Sequence, residues 1–267
     1  MESNDVVIRL GNVRPTAKLL SREDSGINAT YRGYIDTGSE PIKAYVKLLD
    51  GRQLVNELFA NILGRMCGLP VPAGYLVRAR PSDLDVLPES LEVPQEFLMY
   101  GSNDEEVPSL KRRIKTEALQ RSGFYNNWPR IGAAAVFDDW IANADRHEGN
   151  LLVGSEDSIW LIDHGHAFTG PSWVPENFDD PSRPYANQLG RELQQMDSRK
   201  RDEAYTQSCE CIQAFSQVDL ALAVTNSQLD PTQNLIGAED LSALVNFIAS
   251  RVEHLLPIAK NRLGQLI

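Results

Sequence analysis

The sequence predicts an α+β fold in two unequal parts, a strand-rich first part to about residue 98 and a helical second part from 99 onward. Three observations carry this. Short apolar runs separated by Gly, Pro, Ser and Asp fill the first hundred residues, as half-buried strands do. One segment among them has apolar residues at three- and four-residue spacing, the mark of a single inserted helix. Beyond residue 128 helical spacing takes over most of the chain.

In chain order, strands are expected at residues 6–8, 44–48, 75–77 and 96–99. The inserted helix covers residues 53–67, where Leu54, Val55, Leu58, Phe59, Ile62, Leu63 and Met66 share the helical period, and Gly68 stands where it should stop. Residues 131–142 are apolar nearly all round, which predicts a central, buried helix. Two short runs, Leu151-Leu152-Val153 and Ile159-Trp160-Leu161-Ile162, flank the turn-like residues 154–158 and read as a hairpin. Residues 170–184, rich in Pro, Asp and Ser, read as a loop. The last helix is expected over 241–256, with Leu241, Leu244, Val245, Ile248, Val252 and Leu255 on one face. No repeat or low-complexity tract interrupts the chain, so residues 1–267 read as one domain.

Composition narrows the function classes. Hydrophobic residues at 42% and charged residues at 24% are those of an ordinary globular protein. No apolar run approaches the ~20 residues that span a bilayer, and the N-terminus lacks the basic and apolar regions of a secretory leader, so a cytoplasmic protein is expected. Cys67, Cys209 and Cys211 cannot pair evenly and do not complete a zinc site. The net charge of −11 disfavours direct nucleic-acid binding and anionic membranes. The run Lys111-Arg112-Arg113-Ile114-Lys115 reads as a solvated surface segment.

Chemistry concentrates around the hairpin. Asp145, Asn150 and Asp163 occur in the order in which phosphoryl-transfer sites place a proton acceptor and two magnesium ligands. The hairpin would bring Asn150 and Asp163 together at its open end. Such a site also needs a lysine for nucleotide phosphates and an acid to hold it. Lys47, ending an apolar strand, and Glu57, on the inserted helix, are the candidates. The order of strands, helix and carboxylates describes a two-lobed, protein-kinase-like architecture with lobes 1–98 and 99–267. The histidines leave a competing reading open, in which Asp145, His147, Asp163, His164 and His166 serve a metal-dependent phosphohydrolase. That reading gives Lys47, Glu57 and Asn150 no role. A nucleotide-binding interaction module is a further alternative.

The run from Val46-Lys47-Leu48 through Glu57 to Gly68-Leu69-Pro70-Val71-Pro72, then residues 97–102, Asp145-Arg146-His147 with Asn150, and Ile162-Asp163, resembles the HipA-like kinases. Asp145-Arg146-His147 and Ile162-Asp163-His164-Gly165-His166 are also similar to loops of phosphatidylinositol 3- and 4-kinases. The resemblance covers residues 42–170. It implies ATP and magnesium as cofactors, transfer to a serine or threonine of a protein substrate, and a separately encoded antitoxin-like partner. A small-molecule or lipid-headgroup acceptor is the alternative. By the same resemblance Lys47 contacts nucleotide phosphates, Glu57 positions it, Asp145 is the base, and Asn150 and Asp163 hold magnesium. The backbone at Phe97, Leu98 and Met99 would meet the adenine edge. His147 either assists proton transfer or braces its loop. In place of a glycine-rich phosphate loop the chain has residues 21–33, where Ser25 and Gly26 could form an anion-facing turn and Ser25 could be self-phosphorylated. His164 stands where many kinases carry Phe. Substrate choice would lie in residues 102–129 and 170–184 and in the C-terminal helices.

Overall fold

The computed structural model describes residues 6–15, 17–21, 28–88, 95–117, 121–154, 158–229 and 234–264. The first part contains β1 (Arg9–Val13), β2 (Leu20–Ser21), β3 (Thr30–Asp36), β4 (Ile42–Lys47), α1 (Gly51–Met66), β5 (Gly74–Ala79) and β6 (Phe97–Asn103). The strands lie in the order β1-β5-β6-β4-β3-β2, and β1 also pairs with β3. Five of them therefore close into a ring, with β2 on its rim. Alternate residues point inward, so Ile35, Ala44, Val46, Tyr75, Val77 and Met99 pack into one buried cluster.

The sequence reading ended the first part at residue 98, which falls inside β6; the strand runs on to Asn103. Gly101 reads as a breaker in the sequence but is a packing requirement here. A Cβ there would come within 2.9 Å of Val77 inside the ring.

α1 begins two residues earlier than its apolar spacing suggests, because Asp50 caps it by accepting from the Gln53 N–H at 2.8 Å. Such a cap stabilises a helix by about 1 kcal/mol. Gly68, at φ +66°, ends it in the left-handed region that favours glycine. The helix is buried over twelve consecutive residues, Gln53 to Gly64, and four of these are polar: Gln53, Asn56, Glu57 and Asn61. A helix that sinks polar groups must give them partners, and two of the four, Asn56 and Glu57, are tied to the site described below, while Asn61 Nδ2 donates to the Pro72 carbonyl and the Tyr100 hydroxyl.

The second part contains α2 (Leu110–Glu117), α3 (Arg121–Asn127), α4 (Ile131–Trp140), β7 (Leu151–Val153), β8 (Ile159–Leu161), α5 (Gln188–Gln194), α6 (Ser198–Phe215), α7 (Leu220–Asn226) and α8 (Ala238–Leu263). α4 is buried along its whole length, as its composition predicts. Around it, Trp140 stacks on Phe215 of α6 at 4.3 Å and donates from Nε1 to the Ile248 carbonyl of α8. α8 is longer than the predicted 241–256: it continues past Pro257, a residue that normally interrupts a helix, to Leu263. The loop 170–184 buries Trp173 against Phe178, which stacks in turn on Phe247.

One expected strand is not a strand. Residues 6–8 precede β1, which starts only at Arg9. Their polar groups go instead to the end of α7: the Ile8 N–H donates to the Asn226 carbonyl at 2.7 Å, Asn226 Nδ2 to the Val6 carbonyl and Gln228 Nε2 to the Ile8 carbonyl, both at 2.9 Å. The apolar run marks burial under α7, not sheet pairing.

Candidate active site

β4 turns Ala44 and Val46 into the ring, which leaves Lys43, Tyr45 and Lys47 on the opposite face. Lys47, the last of them, meets α1. Its Nζ lies 2.9 Å from Glu57 Oε1 and 2.9 Å from Asp163 Oδ1. The side chains form a gradient of exposure, Glu57 at 1%, Lys47 at 16% and Asp163 at 42%. Burial by itself pushes the Lys47 ammonium down, but the Glu57 and Asp163 carboxylates more than reverse this, so it sits above its ordinary value. Burial likewise pushes Glu57 up, and the charge of Lys47 followed by contacts to His164 draws it down to about 2. The pair is ionised across the physiological range.

The hairpin is formed by β7 and β8, registered Leu151 to Leu161, so Asn150 and Ile162 face one another at its open end. The Ile162 N–H donates to the Asn150 carbonyl at 3.1 Å. Asp163 follows with φ +61°, a conformation that Asp adopts more readily than most residues. This bend aims its carboxylate at Lys47 and presents the His164 backbone N–H to Glu57 Oε2 at 3.0 Å. Glu57 thus holds the lysine with one oxygen and the loop after Asp163 with the other. The His164 ring turns into the core, edge-on to Phe137, with Nδ1 3.7 Å from Glu57 Oε2. Burial first, and the nearby Arg146 charge second, lower its basicity, so the imidazole is neutral.

The Asp145 loop rests on a buried ion pair. Arg146 Nε and Nη2 donate to the two carboxylate oxygens of Asp138 on α4 at 3.0 and 2.9 Å, and both side chains are fully sealed. Its Nη1 donates to the carbonyls of Asn150 and Ile162, at 3.1 and 2.5 Å. One guanidinium therefore binds α4 and both strands' open ends. Asn150 Nδ2 donates to the Asp145 carbonyl at 2.8 Å, and Asp145 itself is 43% exposed with its carboxylate oxygen 3.9 Å from His166 Nδ1. His147 accepts the Gly149 N–H at Nδ1, 2.9 Å, which is the bracing geometry. From α1, Asn56 Nδ2 donates to the carbonyls of Gly165 and Ala167, and its Oδ1 accepts from Trp173 Nε1 at 2.8 Å.

Lys47, Glu57 and Asp163 are in direct contact, and Asp145 and Asn150 are joined through the hairpin. Phe97, Leu98 and Met99 are not with them: they begin β6 and pair with Ala79, Arg78 and Val77 of β5, whereas the chain leaves the sheet toward α2 only after Asn103. Ser25 and Gly26 lie outside the described residues. His164 is buried away from Asp145, and among the described residues no group of three or more His, Cys, Asp and Glu side chains is placed to hold a metal ion. The histidine-rich hydrolase reading finds no such cluster. Sequence reasoning missed Arg146, Asp138 and Asn56 as organisers. The available signal was polarity out of place: Asp138 in an apolar helix and Asn56 at an apolar-flanked position of α1.

With this geometry in place, the comparisons fall into line. The description HipA-like kinase matches residues 30–218, so the chain belongs to the HipA-like kinase family. Its fold is similar to that of a Helicobacter pylori proinflammatory kinase, CtkA, with a TM-score of 0.50 and 12% identity over 94% of this chain and 98% of that one. It is also 36% identical over 93 residues to phosphatidylinositol 4-kinase gamma 2 of Arabidopsis thaliana, a stretch covering 33% of this chain and 16% of that relative's length.

Proposed function

We propose that this chain transfers the γ-phosphoryl group of ATP, with magnesium, to a serine or threonine hydroxyl of a protein. The observation that supports it most is Lys47 held between a sealed carboxylate, Glu57, and an open one, Asp163, beside the Asp145 loop. Magnesium takes hard oxygen ligands from one or two carboxylates, phosphates and water, and needs no larger protein cluster. The residues fit it. Asn150 spends its amide nitrogen on the Asp145 carbonyl, which leaves its amide oxygen as the ligand atom, and Asp163 offers a half-exposed carboxylate. Bound there, the ion would neutralise phosphate charge.

The chain's own groups do the remainder. Lys47, kept protonated by its two partners, binds phosphate oxygens and orients them. Asp145 accepts the proton of the attacking hydroxyl, and its exposure leaves room for that hydroxyl to approach. Arg146 fixes the loop that carries it. The adenine edge is assigned to the segment after Asn103 in place of Phe97, Leu98 and Met99, because that is where backbone groups leave the sheet. A single domain of two lobes meeting at this site accords with the arrangement. Among the described residues no helix is long and apolar enough to cross a membrane.

The test is incubation with γ-labelled ATP and magnesium, alone and with a cell extract, beside Asp145→Ala. Label in a protein band with the wild type only supports the reading. The resemblance to a phosphatidylinositol 4-kinase favours a second acceptor class, so the same assay includes phosphoinositide vesicles. Lipid label without protein label would replace the protein acceptor. An antitoxin-like partner, encoded separately, is part of the same proposal, and affinity capture from the native host would show or refute it.

A further inference from the structure

Where residues 182–187, α5 and the end of α8 meet, the chain leaves an open cavity of about 530 Å³. Volumes of this order are those of small-molecule sites. None of the residues of the candidate active site lines it. Its walls carry Arg191, Arg262, Asn261, Asn187 and Gln194 and, although the chain has a net charge of −11, no Asp or Glu among the described residues.

The amides are largely spent within the chain. Asn187 Nδ2 donates to the Ala135 carbonyl and to Asp139 Oδ1, at 2.7 and 3.0 Å, and its Oδ1 accepts the Gly190 N–H at 2.9 Å. Gln194 Nε2 donates to the Arg262 carbonyl at 2.9 Å. The arginines are not spent. Arg191 is exposed, and among the described residues its side chain has no hydrogen-bond or ion-pair partner. Arg262 gives Nη2 to Asp139 Oδ1 at 2.6 Å, but its buried Nε donates to nothing. Gly190 is what admits it, since a Cβ there would collide with the Arg262 side chain. Tyr185, also in the cavity wall, has the Arg251 guanidinium against its ring at 5.0 Å. Arg251 is wholly buried; its Nε and Nη1 donate only to backbone carbonyls, and its Nη2 donates to nothing.

Charge is therefore out of balance at this place. Three guanidiniums, those of Arg191, Arg251 and Arg262, stand against one carboxylate, Asp139. Burial pushes that carboxyl up to about 6, against the pull of Arg262, so above neutral pH it is charged and the excess is about two positive charges. A phosphomonoester carries about −2 in that range, and guanidinium forks match its oxygens in pairs. A carboxylate would supply half the charge. We infer that this cavity is a second ligand site, which takes the phosphate group of a phosphorylated molecule, with Arg191 as its open fork and Arg262 as its wall.

The experiment is hydrogen-exchange mass spectrometry on the full chain above neutral pH, titrated with inorganic phosphate. Exchange over residues 182–194 and 257–264 should slow by about tenfold once phosphate stands at about ten times its Kd. Arg191→Gln should raise that Kd by about tenfold or more, the worth of a hydrogen bond to a charged group, and Arg191→Lys, which keeps the charge without the fork, should fall between. Because the Arg191 side chain is exposed and unpartnered, the melting temperature of both variants should match wild type. Phosphate held at Lys47 would show instead as slowing over residues 145–163, which Arg191→Gln does not alter. Glycerol phosphate and a phosphoserine pentapeptide, each beside its unphosphorylated form, then identify the source: tighter binding of the first assigns the site to a metabolite, of the second to a phosphorylated protein segment. No slowing in the two segments, slowing by acetate as strong as by phosphate, or undiminished affinity in Arg191→Gln would each overturn the site. The kinase reading, tested at Asp145, is independent of all three.

Discussion

Two ion pairs hold this site, and they differ in how far they are closed off. Arg146 and Asp138 are both at 0% side-chain exposure, with the guanidinium also bound to two backbone carbonyls. The Lys47 system runs from Glu57 at 1% to Asp163 at 42%. A charge sealed on every side can only be structural, since any exchange of partner would strand it in a medium that solvates it poorly. A pair open at one end can trade partners. Asp163 can turn toward a cation or phosphate while Glu57 keeps the lysine charged and in place.

The sharpest way to break this contrast is to remove the sealed arginine. Arg146→Ala should cost ~3–5 kcal/mol of stability, the usual cost of leaving a buried charge alone. Denaturant unfolding measures it, and a cost under about 1 kcal/mol would mean that the pair is not structural. Replacing both partners with apolar residues, Asp138→Leu with Arg146→Met, should recover most of the loss.

Next comes the open end. Asp163→Asn should leave the melting temperature close to wild type and lower phosphoryl transfer by at least about 100-fold, as loss of a charge-stabilising group does. A large fall in melting temperature would place Asp163 with the structural pair. Asn56→Ala should have an intermediate effect of about 1–3 kcal/mol, because it orphans the Gly165 and Ala167 carbonyls and the Trp173 N–H. Hydrogen exchange should then rise in residues 165–173 before it rises elsewhere.

A further effect is confined to acid. Glu57 is drawn from its ordinary 4.5 to about 2 in the folded chain, so its contribution is fully present above pH 4.5 and is lost as the pH falls toward 2. Glu57→Gln should flatten that segment of the stability curve. An unchanged slope would show that Glu57 does not carry that part of the pH dependence.

The same contrast explains what could be read from the sequence. Asp145, Asn150 and Asp163 were legible because short apolar runs fix a hairpin, and a hairpin fixes which residues share its open end. Lys47 was legible as a charge that ends an apolar strand, and Glu57 as the acid on the helix that follows it. Arg146 was visible within Asp145-Arg146-His147, but its partner Asp138 is one of two adjacent aspartates in a helix read as apolar nearly all round. Periodicity reports burial and is silent on pairing. The end of β6 was hidden by Gly101, a spacing requirement that looks like a turn, and the end of α8 by Pro257. Residues 6–8 were read as a strand, whereas the apolar run marks the burial of Val6 and Ile8, and such a run does not name what covers it.

That last segment also sets a clock. The partners of Val6 and Ile8 stand 220 residues further along the chain, at Asn226 and Gln228. At ~5–20 residues per second of synthesis, a chain whose first strands have emerged waits on the order of ten to forty seconds for the groups that cover them. Throughout that interval the Val6 and Ile8 carbonyls and the Ile8 N–H are without these partners, while the ring beside them can already close. Until then a growing chain of this protein is open to capture by a chaperone, or to association with its neighbours on the same message, at these residues.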